Sequence, residues 1–214
     1  MPEAEAPRSR LCLVTPHDIE PDDLARRVGD ALAGGDVASL IIDGEGEHLQ
    51  RLAEAVVPIA QMAGVAALVR NDTRIAGRSK ADGVHIDSGL ADIAAAVEKM
   101  RPKLIVGAGG ARARHEAMTV GEANPDYLFF GRLVGDTLDG IFPKSLDLAA
   151  WWSELFLIPA MVMGGRTIAS VEEAARAGVE FVALRTAVFD DPRGAAAAVD
   201  EANRRLATVA GATA

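Results

Sequence analysis

The chain predicts an α/β fold, a single-domain (β/α)8 TIM barrel, on three observations. Short apolar runs alternate with Ala-rich helical patterns from end to end. Half of the residues are hydrophobic but only 4% are aromatic, so Ala, Val, Leu and Ile must fill the interior, as helices packed on parallel strands require. A length of 214 residues supports one sizeable core and lies near the lower end for this barrel. The alternative is a doubly wound sheet. Its nucleotide fingerprint is missing, because Gly107-Ala108-Gly109-Gly110 lacks the third glycine of G-x-G-x-x-G.

The elements follow in order. The apolar run Leu11–Thr15 is the first strand, and Asp22–Ala33 the first helix. Val37–Ile42 and Glu47–Ala63 form the second pair. Strand Ala66–Arg70 comes next, and its link, Asp72–Ser79, has room for only one or two helical turns. Gly83–Asp87 is the fourth strand, followed by helix Leu90–Met100. The remaining strands are Leu104–Gly107, Tyr127–Gly131, Ala160–Met163 and Phe181–Leu184, separated or followed by helices Ala111–Gly121, Leu146–Leu155, Val171–Ala177 and Pro192–Leu206. No composition break divides the chain, so residues 11–208 are read as one domain, with loose tails at 1–10 and 209–214.

Composition narrows the function classes. The net charge is -9, from 22 basic and 31 acidic residues, which argues against a nucleic-acid or anionic-membrane surface. No apolar run is long enough to span a bilayer, and Met1–Arg10 has no signal-peptide core. The single cysteine, Cys12, permits no internal disulfide, fits the cytoplasm, and reads as a small core residue.

Candidate chemistry gathers at strand ends, since a parallel barrel works at its C-terminal face. Strands three and four end on Asn71-Asp72 and Asp87. Asp72 has a carboxylate suited to Mg²⁺ and Asn71 can hydrogen-bond a ligand, or the two simply cap the next helical turn. His85 is a candidate base, with a structural histidine as the favoured reading; Asp87 is the better contact for a ligand or metal. Gly164-Gly165 and Thr186 follow strands seven and eight, where backbone N–H groups often hold a phosphate, and Arg166 or Arg185 can add charge. Gly109-Gly110 leads into Arg112 and Arg114, a second anion site or a flexible loop with solvated arginines. Trp151-Trp152 reads as packing, one against the barrel and one toward a subunit interface.

In order and position these residues resemble the thiamine-phosphate synthase family, including its thiazole tautomerase relatives. The likeness covers most of Leu11–Leu206 and is anchored by Leu13-Val14-Thr15, Asn71-Asp72, Ala81-Asp82-Gly83-Val84-His85, Asp126-Tyr127, Phe130-Gly131, Gly164-Gly165 and Thr186-Ala187-Val188. The resemblance implies a synthase of thiamine biosynthesis, joining hydroxymethylpyrimidine diphosphate to thiazole phosphate with release of pyrophosphate. It implies that Asn71 touches the diphosphate substrate, Asp72 binds Mg²⁺, and Gly164-Gly165 with Thr186 hold the thiazole phosphate. It also implies a homodimer.

The chain departs from the family pattern at charged positions. Gln-x-Arg-x-Lys at the second strand end becomes Leu40-Ile41-Ile42-Asp43-Gly44. Gly-Gln-x-Asp after His85 becomes Asp87-Ser88-Gly89-Leu90, leaving Asp87 or Asp92 to replace a metal carboxylate. Thr-x-Thr-Lys becomes Asp136-Thr137-Leu138-Asp139, with Lys144 nearby. Ser-x-His becomes Gly109-Gly110-Ala111, with His115 displaced. For a synthase, Arg112 or Lys144 must supply the lost positive charge. The candidate catalytic residues are thus Asn71, His85, Arg112 and Lys144; the phosphate contacts Gly109, Gly110, Gly164, Gly165, Arg185 and Thr186; the metal ligands Asp72 and Asp87. Two alternatives remain: an altered or noncatalytic relative binding a small phosphorylated ligand, and an isomerase using His85 or His115.

Overall fold

Residues 9–212 are described by the structure, a computed structural model. Of the expected tails, residues 1–8 and 213–214 lie outside that range. The elements are β1 (Arg10–Val14), α1 (Pro21–Ala33), β2 (Ser39–Ile42), α2 (Gly46–Met62), β3 (Ala66–Arg70), α3 (Thr73–Ser79), β4 (Gly83–Ile86) and α4 (Leu90–Met100). They continue with β5 (Ile105–Ala108), α5 (Arg114–Glu122), β6 (Tyr127–Phe130), α6 (Pro143–Leu155), β7 (Ala160–Met163), α7 (Ser170–Arg176), β8 (Phe181–Leu184), α8 (Thr186–Phe189) and α9 (Ala195–Ala212). The strands close in sequence order into a parallel barrel, β1 pairing with β2 on one side and β8 on the other.

Strand alternation explains the two cores. Leu11 and Leu13 of β1 face the helices, while Cys12 and Val14 enter the barrel interior. Val162 and its neighbours Met161 and Met163 divide in the same way on β7. Cys12 is wholly buried, and burial pushes its thiol up to about 11, so it is an inert core group. On β5 a glycine is required inside the barrel. A Cβ at Gly107 would lie 2.0 Å from Cζ of Tyr127, the cross-strand neighbour whose ring fills that space.

Four local differences from the sequence expectation matter. Arg10 begins β1, and buried Ser9 hydrogen-bonds Val179 O, so these two residues belong to the barrel rather than to a tail. At the other end, α9 runs on to Ala212 through residues expected to be loose. The fifth helix starts at Arg114, not Ala111, because Ala113 is extended at φ -148. Arg112 is therefore held on a loop at the C-terminal face. The short α8, not expected, begins directly after β8 at Thr186.

Candidate active site

On the β2–β4 side of the rim, the strands deliver one arginine between two carboxylates. Arg70 Nη1 donates to Asp43 Oδ1 at 2.8 Å, and its Nε and Nη2 donate to the two oxygens of Asp87 at 3.1 and 3.0 Å. Burial disfavours the Arg70 charge, but the hydrogen bonds to Asp87 and Asp43 outweigh it and raise its pKa. Burial likewise pushes the Asp87 carboxyl up, yet its bonds from Arg70 and Asn71 prevail and hold it below the ordinary range. Asn71, in the left-handed region at φ 53, grips Asp87 from both ends. Its Nδ2 donates to Asp87 Oδ1 at 2.6 Å, and its Oδ1 accepts from Asp87 N at 2.9 Å.

Below this cluster His85 is fully buried in the barrel. Its ring stacks on Tyr127 and meets Phe129 edge-on, and Nδ1 lies 2.9 Å from the Tyr127 hydroxyl. Burial, above all, lowers its pKa to about 4, so it is neutral near pH 7. A Cβ at Gly109 would stand 3.0 Å from His85 Nε2, so this glycine serves close packing on the imidazole. The expected catalytic use of His85 and phosphate contact at Gly109 are not supported by this placement. The imidazole is sealed under the rim, and the glycine lies against it.

Across the barrel, the expected phosphate donors already have partners. Arg185 Nε and Nη2 donate to Asp136 Oδ1 at 3.1 and 2.5 Å, while Thr186 N and Oγ1 donate to Asp136 Oδ2 at 3.0 and 2.6 Å. Burial raises the Asp136 carboxyl, but Arg185 and Thr186 more than compensate and lower its pKa. Gly164 N bonds Ala183 O in the sheet, and Gly165 N bonds Ser170 Oγ. Gly164 and Gly165 follow β7, Arg185 and Thr186 follow the neighbouring β8, and the donors just named are taken by the chain itself.

The open space adjoins the first cluster, with Arg70 and Asp87 on its wall. A cavity of about 650 Å³ is lined by Arg112, Arg132 and Lys144, with Gly110 on its edge and buried Phe129 and Met163 on its floor. No ion pair forms at Arg112, Arg132 or Lys144 among the described residues. Neighbouring Arg114 is directed elsewhere, its guanidinium 4.9 Å from the centre of the Trp151 ring. His115 is exposed on α5 and is not among the cavity walls.

The sequence profile described as Thiamine monophosphate synthase matches residues 11–188. A thiamine-phosphate synthase of Hyphomonas neptunium is 32% identical, covering 95% of this chain and 96% of that one. The chain belongs to the thiamine monophosphate synthase family. A second thiamine-phosphate synthase, from Rhodospirillum centenum, is also 32% identical, over 91% of this chain and 96% of its own. Among solved structures, the thiamine phosphate pyrophosphorylase of Pyrococcus furiosus superposes with a TM-score of 0.77 at 21% identity, over 94% of this chain and 96% of that one. That likeness supports the same barrel fold.

Membership of the thiamine monophosphate synthase family implies Mg²⁺, and the carboxylates present do not fit it. Both Asp87 oxygens are bound to Arg70, and one also takes Asn71. Asp72 Oδ1 caps α3 by accepting from Arg74 N and Ile75 N at 2.9 and 2.8 Å. Asp92 takes the Ser88 hydroxyl at 2.6 Å. Among the described residues no three His, Cys, Asp or Glu side chains form a metal-binding group. These residues do not build a metal site. Sequence reading also missed Arg70, Arg132 and Asp136 as interacting groups. Arg70 closes an apolar strand, which was a signal. Asp136 was marked only as a departure from the family's Thr-x-Thr-Lys, not as the partner of Arg185.

Proposed function

We propose that this member of the thiamine monophosphate synthase family works in thiamine biosynthesis by joining hydroxymethylpyrimidine diphosphate to thiazole phosphate. The thiazole nitrogen bonds to the pyrimidine methylene carbon as the bond to pyrophosphate breaks, and pyrophosphate carries away the electron pair. The observation that carries the reading is the cluster of Arg112, Arg132 and Lys144 on one cavity, whose side-chain cations form no ion pair among the described residues, although Glu116 accepts from the Arg112 backbone N–H at 2.6 Å. A departing pyrophosphate needs that charge, and cations beside an apolar floor interact with it more strongly than in water. Phe129 and Met163 cover the floor and keep water from the reacting carbon. Asn71, whose amide is committed to Asp87, positions that carboxylate and not the substrate.

Both substrates, incubated with the purified protein and Mg²⁺, should yield thiamine phosphate and pyrophosphate in equal amounts. A second reading is a relative that binds a small phosphorylated ligand without turnover. It is favoured by Asp136, which occupies donors expected to serve the thiazole phosphate. Thiazole phosphate binding with no product supports that reading, and absence of both binding and product removes both. The isomerase alternative has no histidine on the cavity wall. A cytoplasmic setting and a homodimer complete the proposal; sedimentation of the purified chain checks the dimer. No helix of the described residues is long and apolar enough to cross a membrane.

A further inference from the structure

We propose that Glu116 is a positioning residue, which holds the β5–α5 loop in the shape that puts the Arg112 guanidinium on the cavity wall; this rests on the reading that Arg112, Arg132 and Lys144 receive pyrophosphate. Glu116 is exposed on α5, and its Oε2 accepts from Arg112 N at 2.6 Å. Ala113, the N-cap of α5, has no side-chain acceptor to offer. The Glu116 carboxylate instead reaches back over the first turn to a backbone N–H that lies before the helix. The bond fixes the main chain at Arg112 and leaves its guanidinium to the cavity. The Arg112 N–H, above all, holds the Glu116 carboxyl below its ordinary range, so the acceptor is charged at neutral pH.

The loop is anchored on both sides of Arg112. Before it, Gly109 N donates to Ile86 O at 2.8 Å. Gly110 then turns the chain at φ 92, so close to β4 that a Cβ would stand 3.3 Å from Asp87 O. After it, Arg114 rests its guanidinium on Trp151, 4.9 Å from the ring centre. The two arginines therefore serve different ends: Arg114 ties the loop to α6, and Arg112 lines the cavity. An arginine on a free loop must be ordered before it can grip an anion, and Glu116 removes that ordering from the binding step. Charge alone predicts the opposite sign. Glu116 is an anion beside a cationic wall, so by long-range electrostatics its removal would tighten anion binding. Acting through Arg112, its removal loosens that binding.

Calorimetric titration of the full chain with inorganic pyrophosphate, near neutral pH and at constant ionic strength, tests the assignment, with Tm read on each variant. Glu116→Ala should weaken binding about fivefold, the share that goes with ordering one long side chain. Glu116→Gln loses the charge but keeps an acceptor oxygen, and should bind close to wild type. In the Arg112→Met background Glu116→Ala should have no further effect, whereas in the Lys144→Met background it should keep its loss. A carboxylate that only caps α5 would lower the Tm of Glu116→Ala and leave its pyrophosphate affinity where it was, and that result overturns the proposal. Tighter binding by Glu116→Ala overturns it too, as do equal losses with and without Arg112. In each of these cases the proposed function stands if Arg112→Met weakens pyrophosphate binding. If Arg112→Met has no effect, or if the wild type binds no pyrophosphate, the use of the cationic wall falls together with the role of Glu116.

Discussion

Two parts of the rim carry positive charge to opposite ends. At β2–β4 and β7–β8, Arg70 and Arg185 are closed onto Asp43, Asp87 and Asp136. Along the β5–α5 loop, the β6–α6 loop and the start of α6, Arg112, Arg132 and Lys144 face a cavity without such partners. The difference follows from solvation. A buried guanidinium must be neutralised by fixed oxygens, whereas a cation on an open wall is satisfied by water until an anion arrives. Net charge at the rim therefore says little about ligand capacity; the unpaired charges carry it.

The comparison can be broken most sharply at Arg70. Arg70→Met strands two carboxylates, one of them only 4% exposed, and should cost about 4 kcal/mol in urea unfolding. Arg112→Met should change stability by no more than about 0.5 kcal/mol, while pyrophosphate affinity falls about tenfold. Equal losses of stability in the two variants would erase the distinction between paired and unpaired zones.

The next largest effect concerns His85 beneath the paired zone. Its folded pKa of about 4 lies below the ordinary 6.5, so the unfolded chain binds the proton first. The contribution is fully present above pH 6.5 and is lost as pH falls toward 4, on the order of 3 kcal/mol. His85→Leu should remove that part of the slope in unfolding measured from pH 7 to 4. An unchanged slope would mean that His85 is protonated in the fold.

The smallest effect separates capping from chemistry at Asp72. Asp72→Ala should lose about 1 kcal/mol through the vacated cap of α3, and Asp72→Asn should retain most of it. Turnover lost in Asp72→Asn at unchanged stability would assign Asp72 to the reaction and extend the functional wall toward β3.

The barrel was legible because its signals are local. Alternation in Leu11–Val14 sorts outer leucines from inner Cys12 and Val14, and eight such runs separated by helical patterns imply closure. That Gly164-Gly165 and Thr186 follow neighbouring strands came from strand order. The occupant of that corner did not, since Asp136 lies 49 residues before Arg185 in the chain. His85 shows the same divide. Its inward direction came from strand alternation, but its enclosure depends on Tyr127 and Phe129, contributed by β6.

By itself the amino-acid order determined strand sequence, sheet closure and the family to which the chain belongs, because these rest on patterns spanning a few residues at a time. Only the tertiary structure decided which charges neutralise one another. Closure brings Asp43, Arg70 and Asp87 together from three strands and folds Asp136 onto Arg185. Coulomb attraction depends on those through-space distances and on solvent exclusion, neither of which is written in any short stretch of sequence.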